Sequence, residues 1–443
     1  MSIPLRTLVI SLIAAASAES QTPPVLTLHD AIEAGQRGNR QLQIGGLEII
    51  KATAATAEAR TARFPQLKAY ILGGVPLNPI NFTIPRGTLG DYPGLGPLPA
   101  QSSQISTPQR LTAFIYGSAA QPLTQLFKIR LAVRETQLGE QLAREDLRQQ
   151  QQDVVQQIRQ AYFQLVQIQS QIVSGEASLK YLTELSSLTE RNLAEQTVLK
   201  SDSLTVKAKL SQQRYQLLTL RDSLATQKES LNRLMGRGLQ QDFSIETETP
   251  PAPEELDLEA AQAKAIDQRP EIRKARLQMA KADLDIRRER AEYFPDLSLQ
   301  LSYLSLANIS FAPQNITSAG FLLDWQPFDW GQKRHHIEQL RSTAKQAALT
   351  STDAAQQVLL DVRANYRKLL ESRALLDTQA AQQEVENEKM RVMMNRYEQK
   401  AALLSDVLQQ QSALAQADSQ YQRAVADFWT AQAAFQRSLG EDH

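Results

Sequence analysis

At 443 residues, with 48 basic against 48 acidic side chains, the chain has no net charge and no nucleic-acid footprint. It contains no cysteine, which excludes disulfides, thiolate metal sites, a cysteine nucleophile and a lipid anchor on an N-terminal cysteine. Aromatics make up only 6% while Gln and Ala are abundant, so the expectation is long helices with narrow apolar seams, not a thick globular core.

Arg6 precedes a mainly apolar run from Leu8 to Ala16, and Ala16-Ser17-Ala18 fits a small-residue cleavage pattern. Residues 1–18 therefore read as a secretory signal peptide, too short to span a bilayer. No later window holds the roughly 18 apolar residues of a membrane helix. The expected mature chain starts near Glu19, outside the cytoplasm.

A helix is expected from Leu28 to Arg63, about 54 Å long at helical rise. Phe64-Pro65 ends it, since proline cannot continue the ladder and disfavours a helical predecessor. A strand follows at Leu67 to Leu72, and another at Leu111 to Gln121 before Pro122. Between them, Val75 to Pro108 is rich in Pro and Gly, the kind of loop that is functional or disordered. A very long helix is expected from Leu126 to Leu193, a break at Ala194 to Leu199, and a shorter helix from Lys200 to Met235 capped by Gly236.

The same order then repeats. Leu28 falls on Leu258, Leu42 on Ile272 and Phe64-Pro65 on Phe294-Pro295, a shift of 230 residues. After the hairpin the shift is 204, with Arg159 on Arg363, Tyr162 on Tyr366, Ser201-Asp202 on Ser405-Asp406 and Gly236 on Gly440. The second hairpin carries the cleaner signal: Leu297, Leu299, Leu301 and Tyr303 alternate with Ser298, Gln300 and Ser302, apolar on one face and polar on the other. Its return strand, Thr317 to Gln326, ends at Pro327. The domain expectation is a first repeat over 19–239, a proline-rich acidic connector over 240–255, and a second repeat over 256–443.

Apolar residues recur every seventh position: Ile158, Leu165, Ile172 and Leu179, then Leu210, Leu217, Leu224 and Leu231. In the second half Val362, Leu369 and Leu376, then Leu414, Tyr421, Phe428 and Phe435, match them. This is coiled-coil spacing. Two amphipathic strands per half make four per chain, too few to close a membrane barrel, which starts at about eight. An open sheet with an apolar face needs partners. A trimer with about twelve strands is the natural solution. The fold class expected is mainly α with a β membrane part, a coiled-coil helical barrel continuing into a transmembrane β-barrel.

The doubled helix–Phe-Pro–strand junctions, the return Gln326-Pro327-Phe328-Asp329-Trp330-Gly331, and Ser405-Asp406-Val407-Leu408 resemble the TolC-type outer-membrane efflux proteins, over essentially the whole mature chain. The resemblance implies an outer-membrane homotrimer with a long periplasmic part. It would be the passive exit duct of a tripartite efflux or type I secretion system, docked to a periplasmic adaptor (membrane fusion) protein and an inner-membrane pump. It further implies that Asp406 contributes to an acidic ring constricting the periplasmic mouth, with Asp202 its counterpart in the first half. Where relatives can carry a second aspartate, Gln409 stands; where a bridging arginine can stand, there is Ala402. The turns Gln196, Thr197, Val198 and Lys400, Ala401, Ala402 would face the adaptor.

The residue-level reading stands beside this. Ser and Asp at a helix start cap orphan N–H groups, a role compatible with a gate. Phe64, Pro65, Phe294, Pro295, Pro122 and Pro327 mark where helix and strand exchange. Trp325, Phe328 and Trp330 suit an aromatic girdle or packing at the junction, and Gln332-Lys333-Arg334 a lipid-headgroup interface. His335 and His336 are adjacent and point apart, so no metal site is expected, nor any cofactor. With no phosphate loop or metal-spaced cluster, an enzyme is not expected. The alternative is a periplasmic coiled-coil tether without a pore, which leaves the alternating strands unexplained.

Overall fold

The computed structural model describes residues 24–75, 77–78, 81–106, 109–246, 257–307, 314–399 and 401–441. The expected signal peptide, most of the connector and Lys400 lie outside these. Contacts divide the chain into two compact units, one built from residues 24–43, 151–246, 257–262 and 361–441, the other from 44–150 and 263–360. Both halves of the sequence feed both units. No helix among the described residues is long and apolar enough to cross a membrane.

The expected first helix is two: α1, Leu28–Gly38, and α2, Arg40–Thr61. Asn39 breaks it, at φ −65° and ψ 126°. Its side-chain oxygen accepts the N–H groups of Gln41 (2.9 Å) and Leu42 (3.4 Å), which makes it the cap of α2. The second half does the same with α5, Leu258–Gln268, and α6, Pro270–Ala291. There Pro270 forces Arg269 out of the helical region, to φ −64° and ψ 126°. A Pro at the first helical position and an Asn cap are readable signals, and the uninterrupted helix expected from periodicity is corrected by them.

The first unit holds α1, α4 (Lys200–Met235), α8 (Leu404–Ser438) and the adjoining parts of α3 (Leu126–Ala194) and α7 (Gln332–Glu398). The heptad positions Ile158, Leu165, Leu231 and Val362 are buried along its seams. Tyr162 is wholly buried and donates its hydroxyl to the carbonyls of Leu26 (3.2 Å) and Glu246 (3.0 Å). Those carbonyls flank a short parallel pair, β1 (Val25–Leu26) with β8 (Ser244–Ile245), the latter in the segment expected to be connector. Gly236 closes α4 in the left-handed region at φ 72°. A Cβ there would sit 2.0 Å from the carbonyl oxygen of Gly38, so two backbones meet where no side chain fits.

The second unit carries one antiparallel sheet in the order β10-β9-β7-β2. β2 (Gln66–Gly74) pairs with β7 (Thr112–Pro122), and β9 (Asp296–Ala307) with β10 (Asn315–Asp324). β7 joins β9 across the halves, with Ser118 opposite Ser302 and Ala120 opposite Gln300. The long first loop, expected to be functional or disordered, folds into two small ladders. β3 (Asn81–Ile84) pairs with β6 (Ser103–Ser106), and β4 (Asp91–Tyr92) with β5 (Gly96–Pro97).

Candidate functional site

The register sorts the large sheet into two faces. Leu67, Ile71, Leu299, Leu301, Tyr303, Phe321 and Leu323 share one, with Ala69, Ile115, Gly117, Ala119 and Ala319 between them. Leu67 is 79% exposed, Ile71 75% and Phe321 72%, an open apolar surface that water does not favour. The other face presents Gln66, Lys68, Ser118, Gln300, Ser302 and Ser318, with Ser302 and Ser318 hydroxyls 2.6 Å apart and Tyr70 stacked on Tyr116 at 6.2 Å. Both outer strands, β2 and β10, are exposed along their whole length and have one paired edge each.

Helix meets strand at the same end of this sheet four times. Phe64 and Pro65 follow α2 and are exposed; Gln121 ties the crossing by donating to the carbonyls of Arg63 and Pro122, both at 3.0 Å. Pro122 is buried as the last residue of β7. Across the sheet, Phe294 is exposed and Pro295 gives its carbonyl to the Thr124 hydroxyl (2.9 Å), whose oxygen accepts Leu297 N–H (2.8 Å). Lys128 bridges Glu292 (3.0 Å) and Asp296 (2.8 Å). Pro327 lies beyond β10, in the exposed return.

In that return Trp325 donates to the Tyr293 carbonyl (3.3 Å), and Phe328 meets Trp330 edge to face at 4.8 Å. Trp330 is 88% exposed at φ 56°, a region that bulky residues rarely occupy. The Asp329 carboxylate holds the turn by accepting the N–H groups of Lys333 and Gly331, each at 3.0 Å; the Lys333 amide bond, foremost, keeps the carboxyl below its ordinary range. His335 faces Glu338 and His336 faces Glu289. Among the described residues no group of His, Cys, Asp and Glu could hold a metal ion.

The two turns lie in the first unit. Gln196 takes a left-handed φ of 59°, and Thr197 donates both its N–H and its hydroxyl to the Asn192 carbonyl, each at 2.9 Å; Val198 is half-buried. In the second turn the exposed Ala401 donates to the Arg396 carbonyl (2.8 Å), with Ala402 half-buried. Leu199 and Leu403 precede the helices in extended conformation. Asp202 and Asp406 stand three residues on, accepting the N–H of Leu199 (3.3 Å) and Leu403 (3.2 Å). Capping thus falls to the aspartates, half of a capping box, while Ser201 and Ser405 stand inside the first turn. The second oxygen of Asp406 accepts the Ser405 hydroxyl at 3.3 Å, and Gln409 is exposed one turn on.

Sequence reasoning did not find a groove of about 750 Å³ in this unit, lined by Tyr181, Gln213, Gln216, Gln411, Leu414 and Gln422 among others. Burial raises the Tyr181 phenol above its ordinary range, and its hydroxyl points to Met394 Sδ at 2.9 Å.

Residues 262–441 match the family model described as outer membrane efflux protein. The TolC-type resemblance is borne out. The mainly helical fold class with its strand part stands with it. The outer-membrane channel OprN is 19% identical, with 93% of this chain and 89% of that one aligned at a TM-score of 0.74. VceC from Vibrio cholerae is 16% identical over 93% and 96% of the chains, TM-score 0.73. The CmeC outer membrane channel of Campylobacter jejuni is 13% identical over 99% and 93%, TM-score 0.76. At these identities the likeness is one of fold. No curated protein matches the chain.

Proposed function

We propose that three copies of this chain close twelve strands into an outer-membrane barrel and continue it as a helical tube. The assembly is a passive exit duct for an efflux or type I secretion system. The observation that carries this reading is the sheet: an exposed apolar face and two unpaired edges, β2 and β10, that one chain cannot bury. The alternation of strand directions sets β2 antiparallel to the β10 of a neighbour, so identical copies extend the ladder without a break.

In the same reading, Gln196, Thr197, Val198, Lys400, Ala401 and Ala402 meet a periplasmic adaptor that links the duct to an inner-membrane pump. Asp406, one per copy, supplies an acidic ring at the periplasmic mouth, with Asp202 and Gln409 beside it. Heat-modifiable trimers in the outer-membrane fraction and ohmic conductance in a planar bilayer are the expected results. A soluble, non-conducting protein would return the chain to a coiled-coil tether. Crosslinking from Gln196 and Lys400, followed by identification of the captured protein, tests the docking.

A further inference from the structure

The helical ends that meet the sheet carry a surplus of arginine that nothing in the channel reading uses. Within about three turns of the strands stand Arg60 in the last turn of α2 and Arg63 just after it, Arg130 in α3, Arg287 and Arg290 in α6, and Arg334 in α7. All six are exposed, and among the described residues none makes an ion pair or side-chain hydrogen bond. The carboxylates of the same zone are mostly taken. Glu292 and Asp296 serve Lys128, Glu289 faces His336, and Asp329 is held by its own turn and by Lys333. Glu58, Asp285 and Asp324 are left, three acids without an ion pair against six free guanidinium groups.

An arginine left unpaired on one helix is ordinary. Four separate chain segments bringing such groups to one end of a sheet that has an apolar face is a patterned charge. Trp325, Phe328 and Trp330 share that level, and Trp330 projects from a backbone conformation that only its surroundings sustain. Aromatic side chains at the edge of an apolar face suit the boundary between acyl chains and headgroups, and guanidinium forks match phosphate oxygens.

We infer that this collar binds the headgroups of anionic phospholipids in the leaflet on the helical side of the barrel. The lipid's acyl chains lie along the apolar sheet face, its phosphate meets the arginines, and Trp330 lodges beside it. The inference rests on the outer-membrane reading of the sheet. Electrostatic attraction of this kind weakens with salt.

The test uses the full chain purified in detergent, mixed with phosphatidylglycerol or phosphatidylcholine of identical acyl chains, with bound lipid counted by native mass spectrometry. The wild type is expected to retain phosphatidylglycerol several-fold over phosphatidylcholine, and added salt to erase the preference. The triple variant Arg60→Gln, Arg63→Gln, Arg334→Gln is expected to bring that several-fold ratio down to about one while keeping its heat-modifiable migration. Equal retention of both lipids by the wild type, or a preference indifferent to salt, overturns the inference, and the salt series decides it even should the variant misfold. Conductance measured on the same preparation separates the two readings. A conducting protein without lipid preference sinks the collar alone, whereas a protein that neither conducts nor holds lipid sinks both.

Discussion

The bends at Asn39 and Arg269 occupy equivalent places in the two halves and share their backbone angles, φ −65°, ψ 126° and φ −64°, ψ 126°. They are reached by different means. Asn39 caps α2 and also donates its amide to the Leu234 carbonyl at 2.8 Å, so the bend is fastened to α4. Gly38 beside it has no room for a side chain, since a Cβ would lie 2.3 Å from the Met235 carbonyl oxygen. At Arg269 Pro270 excludes the helical conformation, the Arg269 guanidinium grips Glu271 through two bonds at 2.9 and 3.0 Å, and Arg148 of α3 donates to the Gln268 carbonyl at 3.0 Å. Duplicated architecture therefore needs the same dihedral angles, not the same residues. Both bends are tied to a neighbouring helix, but the first is set by an Asn cap and the second by a proline ring.

That contrast can be broken. Gly236→Val places a branched side chain at φ 72° and into the Gly38 backbone, and should cost on the order of 3 kcal/mol or abolish folding, read as a lower Tm in detergent. Asn39→Ala removes a cap and a partly buried hydrogen bond and should cost about 2 kcal/mol, whereas Pro270→Ala should stay within about 1 kcal/mol. Equal losses from these two substitutions would show that both bends are held alike.

The turns offer a gentler version of the same comparison. Asp202→Ala and Asp406→Ala each remove one carboxylate cap and should cost a similar 0.5–1 kcal/mol, roughly. Only Asp406→Ala should widen single-channel conductance or weaken block by divalent cations; identical traces for wild type and variant would leave Asp406 a cap and nothing more. The smallest effect is expected at Asp329. Its carboxyl is held below the ordinary value of 3.8, so the bonds it makes are present above that value and are lost as pH falls through the depressed one. In a chain with Trp325 and Trp429 replaced by Phe, Trp330 emission should shift as pH drops below 3.8, and Asp329→Asn should flatten that shift.

Much of the fold was legible because its signals are local and repeated. α4 and the start of α3 fall where periodicity and Gly236 set them, and both strand pairs follow from alternation. The bend at Pro270 carried its own signal, outweighed by a continuous apolar pattern. The β1–β8 pair could not be read, since two-residue strands have no period and their pairing is decided 219 residues away in the chain. Nor could the ladders inside the long loop, where Pro and Gly announce turns without naming partners. At the turns the type and position of Asp202 and Asp406 were visible, but which backbone N–H each would take depended on Leu199 and Leu403 being extended. The left-handed Trp330 runs against every preference of its side chain.

The sheet order β10-β9-β7-β2 leaves one outer strand from each half of the sequence. All four neighbouring helices leave the sheet at the same end, so a two-fold pairing of β2 with β2 would send the helices of two copies to opposite sides of a bilayer. Association through unlike edges is thus directional, and a ring is its closed solution. A copy with a ruined β2 would still be recruited through its sound β10 and would leave the circle unsealed. Defects in this strand should behave as dominant poisons when expressed beside the intact chain.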